Sequence, residues 1–571
     1  MMPRTYLWTV VATSLALAAC ALPGAPGRDR AEAGGATAAT PKVLTIALEA
    51  EPRDAFVTSL NGGAARIASD LVGAVHHKLA MYTDTGELRP QLASAVPDQT
   101  VGTWTVRPDG TMQTIYRLRP DVTWHDGAPL SARDFVFGWT ATRDPDLPMA
   151  ERGIATLVSR IETPDPRTLV MEWAQPYPFA NAVIQDDFGP LPVHLIEAVY
   201  LESKERFTQL PFWTHEFVGV GPYRVTAWEP GSHFVLRAYD AFYGGRAQID
   251  TIVVRFIVRS DTIAANMLAG SVDGAISGLS FNQTMFVKRE WETAGKKPVV
   301  VLQSTHWSLL GVQFRDPQPR DVLDARVRRG LLHGLDRQAM VDVLLDGLAP
   351  VSHTFIHPTD VRWEWVKDVI TQYDYDPRKA NEVLGTAGWR KSPDGSYLDA
   401  AGDRLLIPVW TTGSETAEAQ LAIIGDYWKA IGVPVEQVVL GQAQTRDNQL
   451  RASFPAFDIT SIPLNFQNTL RRVHGPACPT EASRWSGSNR GCYQNPDLDR
   501  LVDGLSIAID PDEQRRLTRE LIRLHTQELP VLPLNYSVNA TLFREGVTGV
   551  KGDTQPRTNK TWNITEWDMR P

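Results

Sequence analysis

Between residues 42 and 535 the apolar residues keep switching period, from two to about 3.6 and back, and this pattern constrains the fold most. Residues 42–49 alternate apolar and polar, as a strand entering a sheet does, and residues 168–173 read as another short strand. Ser131 and Asp134 make a capping-box start for a helix burying Phe135, Val136 and Trp139. A Gly-Pro turn at 221–222 leads into a strand-rich stretch, with strands at 234–238 and 252–258. A helix at 261–269 closes on Gly270, and a strand at 272–276 follows. Beyond Asp324, Val327, Leu331 and Leu335 fall on one helical stripe. Asp336 starts a second helix burying Met340, Val341, Leu344 and Leu345, with Gly347 as its stop. Ala417, Leu421, Ile424, Trp428 and Ile431 make another stripe before a strand at 435–440. Asp510, Pro511 and Glu513 open a last helix, whose Leu517, Leu521 and Leu524 face inward, and a strand at 531–535 closes the core. Helices alternating with strands throughout, with no repeat of fixed period, indicate an α/β protein.

At roughly 100–200 residues per domain, 571 residues make three or four folding units or two large lobes. Apolar residues are 43% of the chain, enough for a large core. Lys and Arg number 57 against 66 Asp and Glu, a net charge of −9 with no basic blocks. That balance argues against a nucleic-acid partner, whose capture rests on cations meeting phosphates.

The first twenty residues stand apart. Arg4 is their only charge, and residues 6–19 are an unbroken apolar or small run. That is the length of a signal-peptide core and short of the ~20 residues a membrane span needs. It ends in Leu17-Ala18-Ala19-Cys20, which resembles a bacterial lipobox, with Cys20 as the lipidated residue; an ordinary signal peptide with an incidental cysteine is the other reading. On the lipobox reading residues 1–19 are removed, and residues 20–41, rich in Ala, Gly and Pro, form a tether. Export permits a disulfide between Cys478 and Cys492, worth ~3 kcal/mol for the 15-residue loop it closes. A zinc site there, with only His474 nearby, falls one ligand short of four.

Catalytic signatures are missing. In Gly270-Ser271-Val272-Asp273-Gly274 the serine sits one place too early for a nucleophile elbow, and no serine stands three residues before a lysine. His215-Glu216 begins like a zincin motif, but Gly219 stands where its second histidine belongs. Gly219-x-Gly221 lacks the third glycine of a dinucleotide loop. No metal and no cofactor are expected.

Seven segments resemble, in order, the peptide/nickel class of extracytoplasmic solute-binding proteins of ABC importers, bacterial solute-binding family 5. Residues 118–139 are similar to the family signature, keeping Trp124-His125-Asp126-Gly127, Pro129-Leu130, Ala132 and Asp134-Phe135. Gly219-Val220-Gly221-Pro222-Tyr223, Gly270-Ser271-Val272-Asp273, the arginine-rich 326–331 with Asp336-Arg337, residues 376–380, Gly388-Trp389 and residues 528–533 also fit.

The resemblance implies a periplasmic-binding-protein-like fold of class II type, two lobes joined by a hinge of two crossing strands, with an inserted domain. Domain I would combine 42–78, 205–300 and 530–571; domain II would be 79–204 and domain III 301–529. It implies that His125 and Asp126 shape a turn and catalyse nothing, and that a peptide or other organic solute lies in the interlobe cleft. Trp410, taken to follow a strand at 405–409, and Thr412 are expected on a ligand-facing loop. Peptide-binding members carry an acidic residue for the ligand's α-ammonium. The corresponding stretch after Asp458 holds Asn465, Phe466, Gln467 and Asn468, followed by Arg471, so amides replace the carboxylate. The expected protein is a monomer in the periplasm or at the cell surface, anchored to a bacterial membrane through Cys20 and docking on an ABC permease. A secreted hydrolase on a two-lobed scaffold and a sensor without transport are the competing classes.

Overall fold

The alternation at 42–49 folds as strand β1 (Val43–Leu48), and both of its faces are covered. Leu44, Ile46 and Leu48 enter one core, while Ala47 enters another. A strand buried on both sides belongs in the middle of a sheet. The computed structural model describes residues 40–52, 70–149, 152–184, 187–398, 402–552 and 559–570. Residues 1–19, Cys20 and nearly all of the expected tether lie outside these.

Strands β2 (Trp104–Val106), β3 (Met112–Arg117), β4 (Val158–Glu162) and β5 (Thr168–Trp173) form an antiparallel sheet ordered β2-β3-β5-β4. Helix α1 (Ala132–Arg143) stands between β3 and β4, and its Ser131–Asp134 capping box forms. Its buried face differs from the expected one: Phe135 and Phe137 are buried, whereas Val136 and Trp139 are half-buried. The reason is that α1 is a wedge. Phe135 packs into the core of this sheet while Phe137 and Ala141 pack into the core beside β1.

Strands β6 (Tyr223–Glu229), β7 (His233–Ala238) and β8 (Thr251–Phe256) come next, then α2 (Ser260–Leu268), β9 (Gly274–Ala275), α3 (Phe281–Thr293) and β10 (Val299–Gln303). β9 is only two residues of the strand expected at 272–276. Strand β11 (His306–Val312) opens another large sheet. It is followed by α4 (Ala325–His333), α5 (Arg337–Leu345), β12 (Ile407–Thr412), α6 (Glu415–Ala430), β13 (Val435–Leu440) and β14 (Phe457–Pro463). Then come α7 (Phe466–Leu470), α8 (Pro496–Ile507), α9 (Pro511–Glu528), β15 (Val531–Tyr536) and β16 (Asn539–Phe543).

The first large sheet has the order β10-β16-β9-β1-β8-β7-β6, with β1 parallel to β8 and β9. The second has the order β13-β12-β14-β11-β15, with β12 parallel to both its neighbours. One face of the second sheet packs on α4 and α6 through Val327, Leu331, Ile424 and Trp428. The other packs on α8 and α9 through Leu498, Leu501, Leu517 and Leu521. Within α9, Ile522 and His525 are buried and Leu524 is only half-buried.

The chain passes between the two large sheets twice, from β10 to β11 and from β15 to β16. This corrects the expected start of the last domain I segment at residue 530: β15 pairs with β11 in the second sheet, so the return to the first sheet falls after Tyr536. The Pro530–Pro533 stretch is too apolar to show from sequence alone which core receives it. Buried Leu532 and Leu534 join the core under α4 and α6.

Candidate ligand-binding site

The His-Asp-Gly segment is a joint. Gly219 N–H donates to His125 Nδ1 at 3.1 Å, which leaves Nε2 as the donor to the Gly221 carbonyl at 3.0 Å. Both ring nitrogens are thus engaged, and burial pushes the ring down to about 4, so it stays neutral. Asp126 accepts from Ala128 N–H across the turn and meets His194 Nε2 at 2.7 Å. Gly221 has to be glycine, because a Cβ there would meet the Val75 backbone at 2.4 Å. The family signature and the Gly-Val-Gly-Pro-Tyr turn are therefore two halves of one seam between the inserted sheet and the first large sheet.

The candidate site lies at the end of β14. This strand runs antiparallel to β11 and parallel to β12, then turns through Asn465 into the five-residue α7. Asn465 is the N-cap of α7, its Oδ1 accepting from Asn468 N–H at 3.1 Å, so its acceptor atom is already committed. Asn468 is exposed. Phe466 is sandwiched, with the Arg362 guanidinium 4.4 Å from its ring centre and Phe355 at 6.0 Å. Gln467 Nε2 donates to the Tyr177 hydroxyl at 3.0 Å. Tyr177 in turn stacks on Trp173 of β5, so Gln467 ties the second large sheet to the inserted one. Arg471 is exposed at the end of α7, whereas Arg472 turns inward.

Trp410 needs correction. It does not follow a strand: β12 runs through it to Thr412, with Trp410 opposite Asp458 and Thr412 opposite Leu440. The polar run Thr411 to Ser414 misled because Thr411 is buried in the strand and Ser414 is the N-cap of α6, accepting from Ala417 N–H. Trp410 is half-buried on the same sheet face as Asp458. The structure thus gathers Asn465, Phe466, Gln467, Asn468 and Arg471 on one turn and places Trp410 and Thr412 on a neighbouring strand.

Three residues escaped the sequence reading. Tyr177 is the partner of Gln467 from 290 positions away. Arg451 pairs with Asp458 at 2.7 Å with both side chains almost wholly buried, and Arg490 stands beside them. Burial pushes the Asp458 carboxyl up to about 6, against the pull of Arg451 and Arg490. No local spacing marks residues drawn from such separate segments. Cys478 and Cys492 form a disulfide, Cα atoms 4.8 Å apart, so neither sulfur is a thiolate for a metal.

With this geometry in hand, comparison with known proteins is decisive. Residues 87–463 match the family described as bacterial extracellular solute-binding proteins, family 5 Middle. The chain belongs to that family. The oligopeptide-binding protein AppA of Bacillus subtilis is 23% identical over 80% of this chain and 81% of its own. Protein XP55 of Streptomyces lividans is 28% identical over 90% and 85%. Among solved structures, the periplasmic oligopeptide-binding protein of a Thermotoga maritima ABC transporter superposes with a TM-score of 0.75 at 18% identity, covering 93% of this chain and 99% of that one. NikZ from Campylobacter jejuni, in complex with Ni(L-His), gives 0.69 at 21% identity, covering 93% and 100%. The fold is therefore the two-lobed α/β architecture of periplasmic binding proteins, and this member is a solute-binding protein.

Proposed function

We propose that this chain is a lipid-anchored receptor that captures an oligopeptide or related organic solute outside the cytoplasm and hands it to the permease of an ABC importer. The family match carries the reading, and the peptide-binding names of AppA and the Thermotoga protein support the solute class. The Leu-Ala-Ala-Cys20 sequence supports the anchor and a place at the cell surface or in the periplasm. Nothing in the reading requires a bond to be made or broken. Binding, closure and release suffice, and closure follows because a solute held by both lobes favours the state in which they approach.

Gln467 sets the expected selectivity. It stands in the stretch that corresponds to the family's acidic segment, and its Nε2 donates to the Tyr177 hydroxyl. A buried ammonium facing an amide lacks the charged partner that offsets its desolvation, a deficit of several kcal/mol. Free N-terminal peptides therefore bind poorly, and solutes presenting hydroxyls, amides or an anionic group toward Arg471 bind better. Calorimetry of a peptide set against N-acetylated counterparts, on wild type and Gln467→Asp, tests this. Amine binding gained only in the variant is the expected result. A strong wild-type preference for free amines would overturn the selectivity and leave an ordinary peptide receptor.

A further inference from the structure

A cavity of about 50 Å³ lies in the second lobe behind α7. Its floor is one face of the second sheet, with Asp458 and Thr460 of β14 beside Leu309 and Gly311 of β11. Thr469 and Arg472 close one side, and Ser488, Asn489 and Arg490 close the other. The charges here do not balance. Arg472 and Arg490 line the cavity with a single carboxylate, Asp458, which already pairs with Arg451. Asp458 spends Oδ2 on Arg451, and its Oδ1 is buried with no hydrogen-bond partner. Among the described residues, the guanidiniums of Arg472 and Arg490 have neither a hydrogen-bond partner nor an ion-pair partner. Arg472 is pushed down to about 10 by burial and then by Arg490, while burial and then Arg451 lower Arg490 against the pull of Asp458.

Two forked, part-buried cations beside one carboxylate that is already bonded to Arg451 leave positive charge uncompensated, and charge withdrawn from water is unfavourable unless it is paired. The walls are built to hold them there. Asn489 uses its whole amide on the backbone of His474 and Tyr493, and the Cys478–Cys492 disulfide closes the loop that carries Arg490. We infer that this cavity is a binding site for a small oxyanion, of carboxylate, sulfate or phosphate chemistry, gripped by the paired guanidiniums of Arg472 and Arg490. The geometry of a guanidinium suits such a group, since its parallel N–H bonds match two oxygens of one anion. The site stands whether or not the importer reading holds, because it rests on this lobe's charge alone.

The test is thermal unfolding and calorimetry of the mature chain in phosphate, sulfate or acetate against chloride at equal ionic strength. Wild type should show saturable stabilisation by the oxyanions. Arg490→Gln and Arg472→Gln, each checked for native circular dichroism, should weaken binding at least about tenfold, and Arg472→Lys should fall between, keeping the charge but losing the fork. A second arm repeats the phosphate titration with a carboxylate-bearing peptide and with its C-terminal amide. Competition by the carboxylate alone assigns the cavity to the solute, and phosphate binding indifferent to both assigns it to a free ion. Stabilisation that fails to saturate, or that is equal in wild type and both glutamine variants, would overturn the site.

Discussion

His525 is the clearest single residue at which packing and protonation conflict. It is 1% exposed on α9, with Phe355 at 5.3 Å and Trp307 at 6.2 Å, and neither ring nitrogen has a hydrogen-bond partner. Burial pushes it down to about 4, whereas an unfolded chain protonates its histidines near 6.5. Between those values the unfolded state binds more protons, so the stability present above pH 6.5 is lost as pH falls toward 4. For His525 the full loss is on the order of 3 kcal/mol, and buried His125 and His77, both pushed down to about 4, add to it. His525→Phe should therefore unfold at a higher temperature than wild type at pH 5 and lose less between pH 7 and pH 5. Parallel melting curves for the two proteins across that range would contradict it. His525 was invisible as a special position in the sequence, where it is simply one more polar residue between Leu524 and Thr526.

Among the elements, helices with chemical start signals were the most legible. Asp510 does accept from Asp512 and Glu513 N–H at 2.7 and 3.2 Å at the head of α9, the Ser131–Asp134 capping box forms, and Asp336 caps α5 as its position implies. These contacts are local, so a few neighbouring residues suffice to specify them. Asp510→Ala should cost about 1 kcal/mol of stability, read from the denaturation midpoint at unchanged slope, and no shift at all would contradict the capping account. Strand limits were less legible because pairing partners decide them. β9 shrinks to Gly274–Ala275 between β1 and β16, and β12 extends through Trp410 to Thr412 because β13 pairs along all of it. The candidate site shows the same divide. The amide-rich turn 465–468 could be read directly, but Tyr177, Arg451 and Arg490 reach it only through the fold.

At the scale of the molecule, the two large sheets exchange the chain twice and the inserted sheet leans across to Gln467 through Tyr177. Motifs spread over the length pointed to this architecture, and two of them, at His125 and at Gly221, meet in one seam. The central claim is that the molecule holds an organic solute and leaves it unchanged. Native mass spectrometry of gently purified protein, followed by denaturation and analysis of what is released, tests this most directly. The account predicts a non-covalent adduct that comes off intact, with the same solute rebinding unaltered to the stripped protein. Recovery of a cleaved or otherwise transformed solute after incubation with the stripped protein would contradict it.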